Sequence, residues 1–204
     1  MEEAFQGTVV GLIYDGGVAL ASDSRSTRQY LVRSKKAPKI FKIQDRIGVA
    51  VSGIAGDARN LVDTMEIESN LYQIRREKPI STKSLARLTS NIFHSRRMFP
   101  YIVSVILSGI DKDGPKLYFL DPAGGSLKED KFASAGTGSS VAYGVLEQNY
   151  EENMEAESGL RIAAQSIQQA IERDAATGDN VVLAKIDDEG FQEIDSEKVD
   201  GYLK

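Results

Sequence analysis

The 204-residue sequence contains no cysteine and one histidine. Without cysteine there is no disulfide framework, thiol nucleophile, iron–sulfur cluster or Cys-type zinc site, and His94 alone cannot build a multi-histidine metal centre. No apolar run approaches the roughly 18 residues of a membrane span. The opening Met1-Glu2-Glu3-Ala4-Phe5-Gln6 is short and acidic, the opposite of a signal peptide. A soluble, intracellular, cytoplasmic protein is therefore expected. A net charge of −5 gives no general electrostatic reason to bind nucleic acid or an anionic membrane, so neither is expected as a partner. Any catalysis must come from hydroxyls, carboxylates, amines and backbone, with no cofactor or metal expected.

What the sequence does contain suits one globular domain. Its 41 % apolar and 27 % charged residues match an ordinary folded chain. A chain of this length buries roughly 70 % of its unfolded surface without a staple. Two apolar runs, Thr8–Tyr14 and Val18–Ser22, flank Asp15-Gly16-Gly17, which tolerates the positive φ of a hairpin turn. A second pair, Lys39–Ile43 and Ile47–Ser52, is joined by Gln44-Asp45-Arg46. The polar stretch 24–38 between the pairs reads as a loop or irregular hairpin.

Helical spacing follows. Residues 56–76 align Leu61, Met65 and Tyr72 on one row and Ile67, Leu71 and Ile74 on the next. Ser81 suits the N-cap of a second helix with Leu85, Leu88 and Ile92 on one face, closed by Pro100. Strands return at 101–108 and 116–120, and a third helix carries Val141, Val145 and Leu146. Residues 158–173 hold the clearest buried stripe, through Leu160, Ala163, Ala164, Ile167, Ala170 and Ile171. Two closing strands are expected at 180–186 and 190–194. Strands in hairpins and helices in pairs predict an α+β fold, two antiparallel sheets packed together and each covered outside by a helix pair.

Several constellations have a plain structural reading. His94 suits a surface position on the second helix, since no nucleophile elbow accompanies it. Gly136-Thr137-Gly138-Ser139-Ser140 lacks the ending of a P-loop and suits a tight turn with Ser139 or Ser140 as N-cap, its hydroxyls leaving a site role open. Asp111, Asp113 and Gly114 lack the remaining ligands of a calcium loop and suit a hairpin turn. Lys35-Lys36 and Arg75-Arg76 read as isolated, solvated basic spots. A second set has no such simple account. Asp23 follows a strand in Ala21-Ser22-Asp23-Ser24-Arg25, and Lys39 begins the next pair. Ser52-Gly53-Ile54-Ala55-Gly56-Asp57 ends a strand at a helix start, and Asp174 and Thr177 lie in Arg173-Asp174-Ala175-Ala176-Thr177-Gly178. These lie at strand ends, near a Gly7-Thr8 junction that looks like a processing site.

At these residues the sequence resembles the β-type subunits of the 20S proteasome, archaeal ones in particular. The likeness runs through Thr8-Val9-Val10-Gly11, Asp23 with Arg25, Lys39, Ser52-Gly53 with Gly56-Asp57, Tyr143-Gly144-Val145-Leu146-Glu147 and Arg173-Asp174. The resemblance implies a four-layer αββα sandwich of the N-terminal-nucleophile hydrolases. It implies a short propeptide or N-terminal extension at 1–7 and the β-type domain at 8–204. The implied partners are other β-type subunits in a seven-membered ring, α-type subunits, an ATP-dependent unfoldase acting through the α ring, and unfolded polypeptide substrates. The implied activity is threonine-type endopeptidase. Cleavage after a glycine exposes a threonine whose hydroxyl attacks the peptide carbonyl. A free α-amine, with pKa about 7.7 to 8, serves as base without a histidine. Carried onto this sequence, Lys39 holds the nucleophile, Asp23 pairs with Lys39, the Gly53 N–H forms the oxyanion site, and Asp174 with Thr137 and Thr177 completes the site. The two threonines stand where the family usually carries serines.

One departure divides the functional reading. Counting back from Gly11, Asp23 and Lys39, the nucleophile position falls on Gly7, and Thr8 occupies the next one. Because side chains alternate along a strand, Thr8 in regular register points away from Lys39, displaced by about 3.3 Å. Either cleavage after Gly7 and a local β-bulge make Thr8 the nucleophile, or the chain is a non-catalytic β-type subunit that keeps residues 1–7. Register favours the second. The simpler bacterial relative with one subunit type fits the helix-rich 139–174 region less well.

Overall fold

The computed structural model describes residues 7–28 and 31–204. The expected propeptide or extension lies outside the described residues apart from Gly7. Strands β1 (Thr8–Tyr14) and β2 (Gly17–Asp23) form the first expected hairpin, and β3 (Ser26–Arg28) with β4 (Leu31–Ser34) forms the irregular one, its register shifting at Ser26/Thr27. Next come β5 (Ile40–Gln44), β6 (Ile47–Gly53), α1 (Ala55–Arg76) and α2 (Thr82–Ser95). They are followed by β7 (Val103–Asp111), β8 (Gly114–Leu120), β9 (Ser126–Glu129) and β10 (Phe132–Gly136). The chain ends with α3 (Ser139–Asn149), α4 (Ala156–Arg173), β11 (Val181–Asp187), β12 (Gly190–Glu193) and α5 (Ser196–Leu203).

Two five-stranded antiparallel sheets result, in the orders β10-β1-β2-β11-β12 and β5-β6-β7-β8-β9. Strand alternation distributes their apolar residues over three layers. Val9, Leu20, Ile106, Leu117 and Ile186 fill the space between the sheets. Leu12, Ala21 and Leu183 face outward onto Leu146, Leu160 and Ile167 of α3 and α4. Val49, Val105 and Leu107 face outward onto Leu61 and Met65 of α1 and Leu85 of α2. The expected αββα sandwich is therefore what the chain forms. No helix among the described residues is long and apolar enough to cross a membrane.

Local expectations fare unevenly. Ser81 caps α2, accepting from Ser84 N at 3.2 Å, and His94 is exposed on that helix as expected. Asp111 does more than turn the chain, accepting from Thr82 N at 2.7 Å and Thr82 Oγ1 at 2.9 Å and so tying β7 to the start of α2. The Ser139/Ser140 N-cap is not made; Gly138 caps α3 without a side-chain bond. On α1 the buried stripe is Ala58, Leu61, Val62, Met65 and Ser69, which turns Ile74 outward at 76 % exposure. Helix α5, unanticipated, anchors through Val199 and Tyr202 onto the α4 side.

Two glycines calibrate the packing. A Cβ at Gly11 would lie 2.6 Å from Ile106 Cγ2 and 2.7 Å from Leu117 Cδ1, whereas one at Gly144 on α3 meets nothing within 4 Å. Gly11→Ala is expected to lose about 1–3 kcal/mol by overpacking the inter-sheet layer. Gly144→Ala is expected to gain up to about 1 kcal/mol of helix propensity. Urea unfolding of both variants checks the pair.

Candidate active site

Antiparallel pairing brings the expected site residues to one end of the sandwich. Thr8 lies opposite Gly136, Val9 opposite Ser22, and Val181 opposite Asp23, so β1 begins where β2 and β10 end and β11 starts. Lys39, just before β5, and Gly53, closing β6, approach from the other sheet.

Asp23 is fully buried and fully bonded. Its Oδ1 accepts from Thr8 N at 2.8 Å and lies 3.0 Å from Lys39 Nζ; its Oδ2 accepts from Arg25 N and Gly178 N, each at 3.0 Å. Lys39 also donates to the carbonyl oxygens of Asp23 at 3.1 Å and Arg25 at 2.6 Å, so all three ammonium protons have acceptors. Burial pulls the Lys39 pKa below the ordinary lysine value, and the Asp23 charge beside it opposes that fall.

Gly7 sits against this pair at φ +79°, a conformation that favours glycine. A Cβ there would lie 2.6 Å from Asp23 Oδ1, 2.6 Å from Lys39 Cε and 2.8 Å from Lys39 Nζ. Position 7 is thus where a side chain would meet the lysine, and glycine brings no atom to it. The Gly7 carbonyl accepts from Thr137 N at 3.1 Å and Ser52 Oγ at 3.4 Å.

Thr8 faces elsewhere. Its pairing runs in unbroken register with β10 and joins an unbroken β1–β2 ladder, so the bulge that would turn it towards Lys39 is absent. Its side chain is fully buried, Oγ1 accepting from Gly138 N at 3.0 Å and lying 2.7 Å from Thr177 Oγ1. Thr177 and Thr137 both give their hydroxyl protons to Asp174 Oδ2, so the Thr8 proton points to Thr177. The expected residues therefore form two groups. Asp23 and Lys39 gather at Gly7, with Gly53 and Lys39 both lining a cavity of about 510 Å³, while Thr137, Asp174 and Thr177 gather at Thr8. At Gly53, with φ +148°, a Cβ would run into the Ile102 carbonyl oxygen, so only glycine brings the backbone this close.

Four contributors were not singled out from sequence. Gly138 and Gly178 act through backbone N–H groups, Ser52 reaches the Gly7 carbonyl, and Asp179 pairs with Arg25 at 3.1 Å. Ser52, Gly138 and Gly178 each lie within a motif quoted from the sequence, and only Asp179 lies outside them all. No cluster of three or more His, Cys, Asp or Glu suited to a metal occurs among the described residues.

A sequence model of the family described as Proteasome subunit matches residues 4–186. The proteasome subunit beta of Methanospirillum hungatei is 42 % identical over 192 residues, covering 94 % of this chain and 92 % of that protein. That of Methanothrix thermoacetophila is 39 % identical over 205 residues, covering 100 % and 99 %. That of Methanocaldococcus vulcanius is 44 % identical over 197 residues, covering 96 % and 88 %.

Removing the Asp23 charge would leave the buried ammonium uncompensated. Asp23→Asn is expected to lose about 3–5 kcal/mol in denaturant unfolding, whereas Asp45→Asn, at an exposed pair with Lys42, leaves stability unchanged. Because Lys39 titrates below its unfolded value, the unfolded chain holds this proton to higher pH. Its contribution therefore favours the folded chain increasingly as pH rises towards 10.5. A ¹³Cε NMR titration with a Lys39 midpoint below the ordinary lysine value of 10.5 checks the direction.

Proposed function

The chain belongs to the proteasome subunit family as a β-type member, and from that premise we propose that it builds the β ring without a nucleophile of its own. The family's activity is threonine-type peptide-bond hydrolysis. In this reading the chain takes one place in a seven-membered cytoplasmic ring stacked on α-type subunits. An ATP-dependent unfoldase feeds unfolded polypeptide through the α ring, and active neighbours cut it.

The observation that carries this reading is the geometry at Gly7. Two remaining parts of the family's site, Lys39 and Asp23, press on a position that has no side chain, and Lys39 shares a cavity wall with Gly53. Thr8 does not substitute for it. One residue along a strand is about 3.3 Å and a reversal of facing, while reacting atoms must come within roughly 3–3.5 Å. The Thr8 hydroxyl also has both its hydrogen-bonding roles filled inside the fold.

The competing reading keeps one specific support. The chain of hydroxyls from Thr8 through Thr177 to the Asp174 carboxylate is a path along which a nucleophile's proton would leave. Proteolytic maturation separates the two. In the assembled particle, intact-mass measurement is expected to find this chain at its full 22.3 kDa with residues 1–7 retained. A chain beginning at Thr8 would contradict the proposal.

A further inference from the structure

A second cavity, of about 330 Å³, opens between the end of β5 and the outer side of α1. Lys42, Gln44 and Asp45 line it from the strand, and Glu66, Asn70 and Gln73 from the helix. The three helix residues recur at i, i+4 and i+7 and so share one face. This cavity lies apart from the candidate active site. Strand β6 leaves the neighbouring turn at Ile47 and reaches the site at Gly53, about 20 Å on for a strand of this length.

Its polar groups are unevenly supplied. Lys42 is held by Asp45 at 2.8 Å, so that pair brings no net charge. Glu66 has no ion-pair or hydrogen-bond partner among the described residues, and neither does the Asn70 side chain. The Gln44 amide oxygen is buried and receives no hydrogen bond among the described residues. Its amide cannot turn over to relieve this, because Nε2 already donates to the Ser69 carbonyl oxygen and to Gln73 Oε1, each at 3.3 Å. A buried acceptor without a donor is costly. The cavity thus carries three acceptor groups short of a donor and one uncompensated negative charge.

We propose that this cavity binds a guanidinium group. Guanidinium carries a permanent positive charge and five N–H donors in a planar fan, with no acceptor. One edge pairs with the Glu66 carboxylate, and the remaining N–H groups serve Asn70 Oδ1 and, at the inner wall, Gln44 Oε1. The group can come from a free guanidino solute or from an arginine side chain of a polypeptide. Ile67 and Ile74, each next in sequence to a cavity residue and 59 % and 76 % exposed, are apolar surface that only the second source would use.

The test titrates the full-length chain, at constant ionic strength, with N-acetyl-argininamide, its neutral isostere N-acetyl-citrullinamide and N-acetyl-lysinamide. The side-chain amide NMR signals of Gln44, Asn70 and Gln73 report binding. Argininamide is expected to shift these signals and to bind about ten-fold tighter than citrullinamide, the scale of one charge-assisted hydrogen bond, with lysinamide between them. Glu66→Gln is expected to cost about ten-fold in argininamide affinity, whereas Glu68→Gln on the same helix leaves it unchanged. Asn70→Asp, which adds a carboxylate, is expected to tighten argininamide severalfold, a gain that misfolding cannot produce. The tripeptide Leu-Arg-Leu, capped at both ends, distinguishes the sources. Binding severalfold tighter than argininamide assigns the site to polypeptide, and equal binding assigns it to a free solute. No shift at these amides, citrullinamide or lysinamide binding as tightly as argininamide, or an affinity unchanged in Glu66→Gln would overturn the proposal.

Discussion

The buried ion pair between Lys39 and Asp23 is the constraint from which the rest of this end of the molecule follows. The two charges lie 3.0 Å apart, with Asp23 wholly removed from solvent. Desolvating such a pair consumes most of its Coulombic gain, so its value lies less in net stability than in what it fixes. Asp23 collects N–H groups from the start of β1, from Arg25 and from the loop before β11, while Lys39 arrives from the opposite sheet. One carboxylate therefore holds four chain segments and both sheets in register.

That clamp also decides what the first described residues can do. With Thr8 N held by Asp23, position 7 is pressed against the ammonium and position 8 is turned to the far side of the strand. The Thr8 hydroxyl then enters a chain through Thr177 to Asp174 that joins residues 169 positions apart in sequence. The same strand alternation that builds three apolar layers separates lysine from threonine. Moving Thr8 across would require breaking the ladder with β10.

Much of this was legible in the sequence, for identifiable reasons. The hairpins announced themselves through Asp15-Gly16-Gly17, and α4 through a stripe whose one-sidedness the structure reproduces in Leu160, Ala163, Ala164, Ile167 and Ala170. The displacement of Thr8 followed from counting, because Gly11, Asp23 and Lys39 agree on one register. What was not legible depended on tertiary placement. Ile67 and Ile74 look like a second buried row but lie past the edge of the stripe that β5 and β6 cover. Helix α5 has only Val199 and Tyr202 to mark it. Lys35-Lys36 are exposed as expected, whereas the placing of Arg28 and Arg33 of the expected hairpin beside Lys39 is a matter of tertiary packing. Backbone donors such as Gly138 and Gly178 carry no residue-type signal at all.

The central claim is that the site is assembled around a place where no nucleophile stands. The most direct measurement is covalent labelling of the assembled particle with a peptide vinyl sulfone, which forms a stable ether with an activated threonine hydroxyl. Subunits would be separated and their adducts mapped by mass spectrometry. No adduct on this chain, with labelling of active β-type neighbours in the same particle, is the predicted result; an adduct on Thr8 would contradict it.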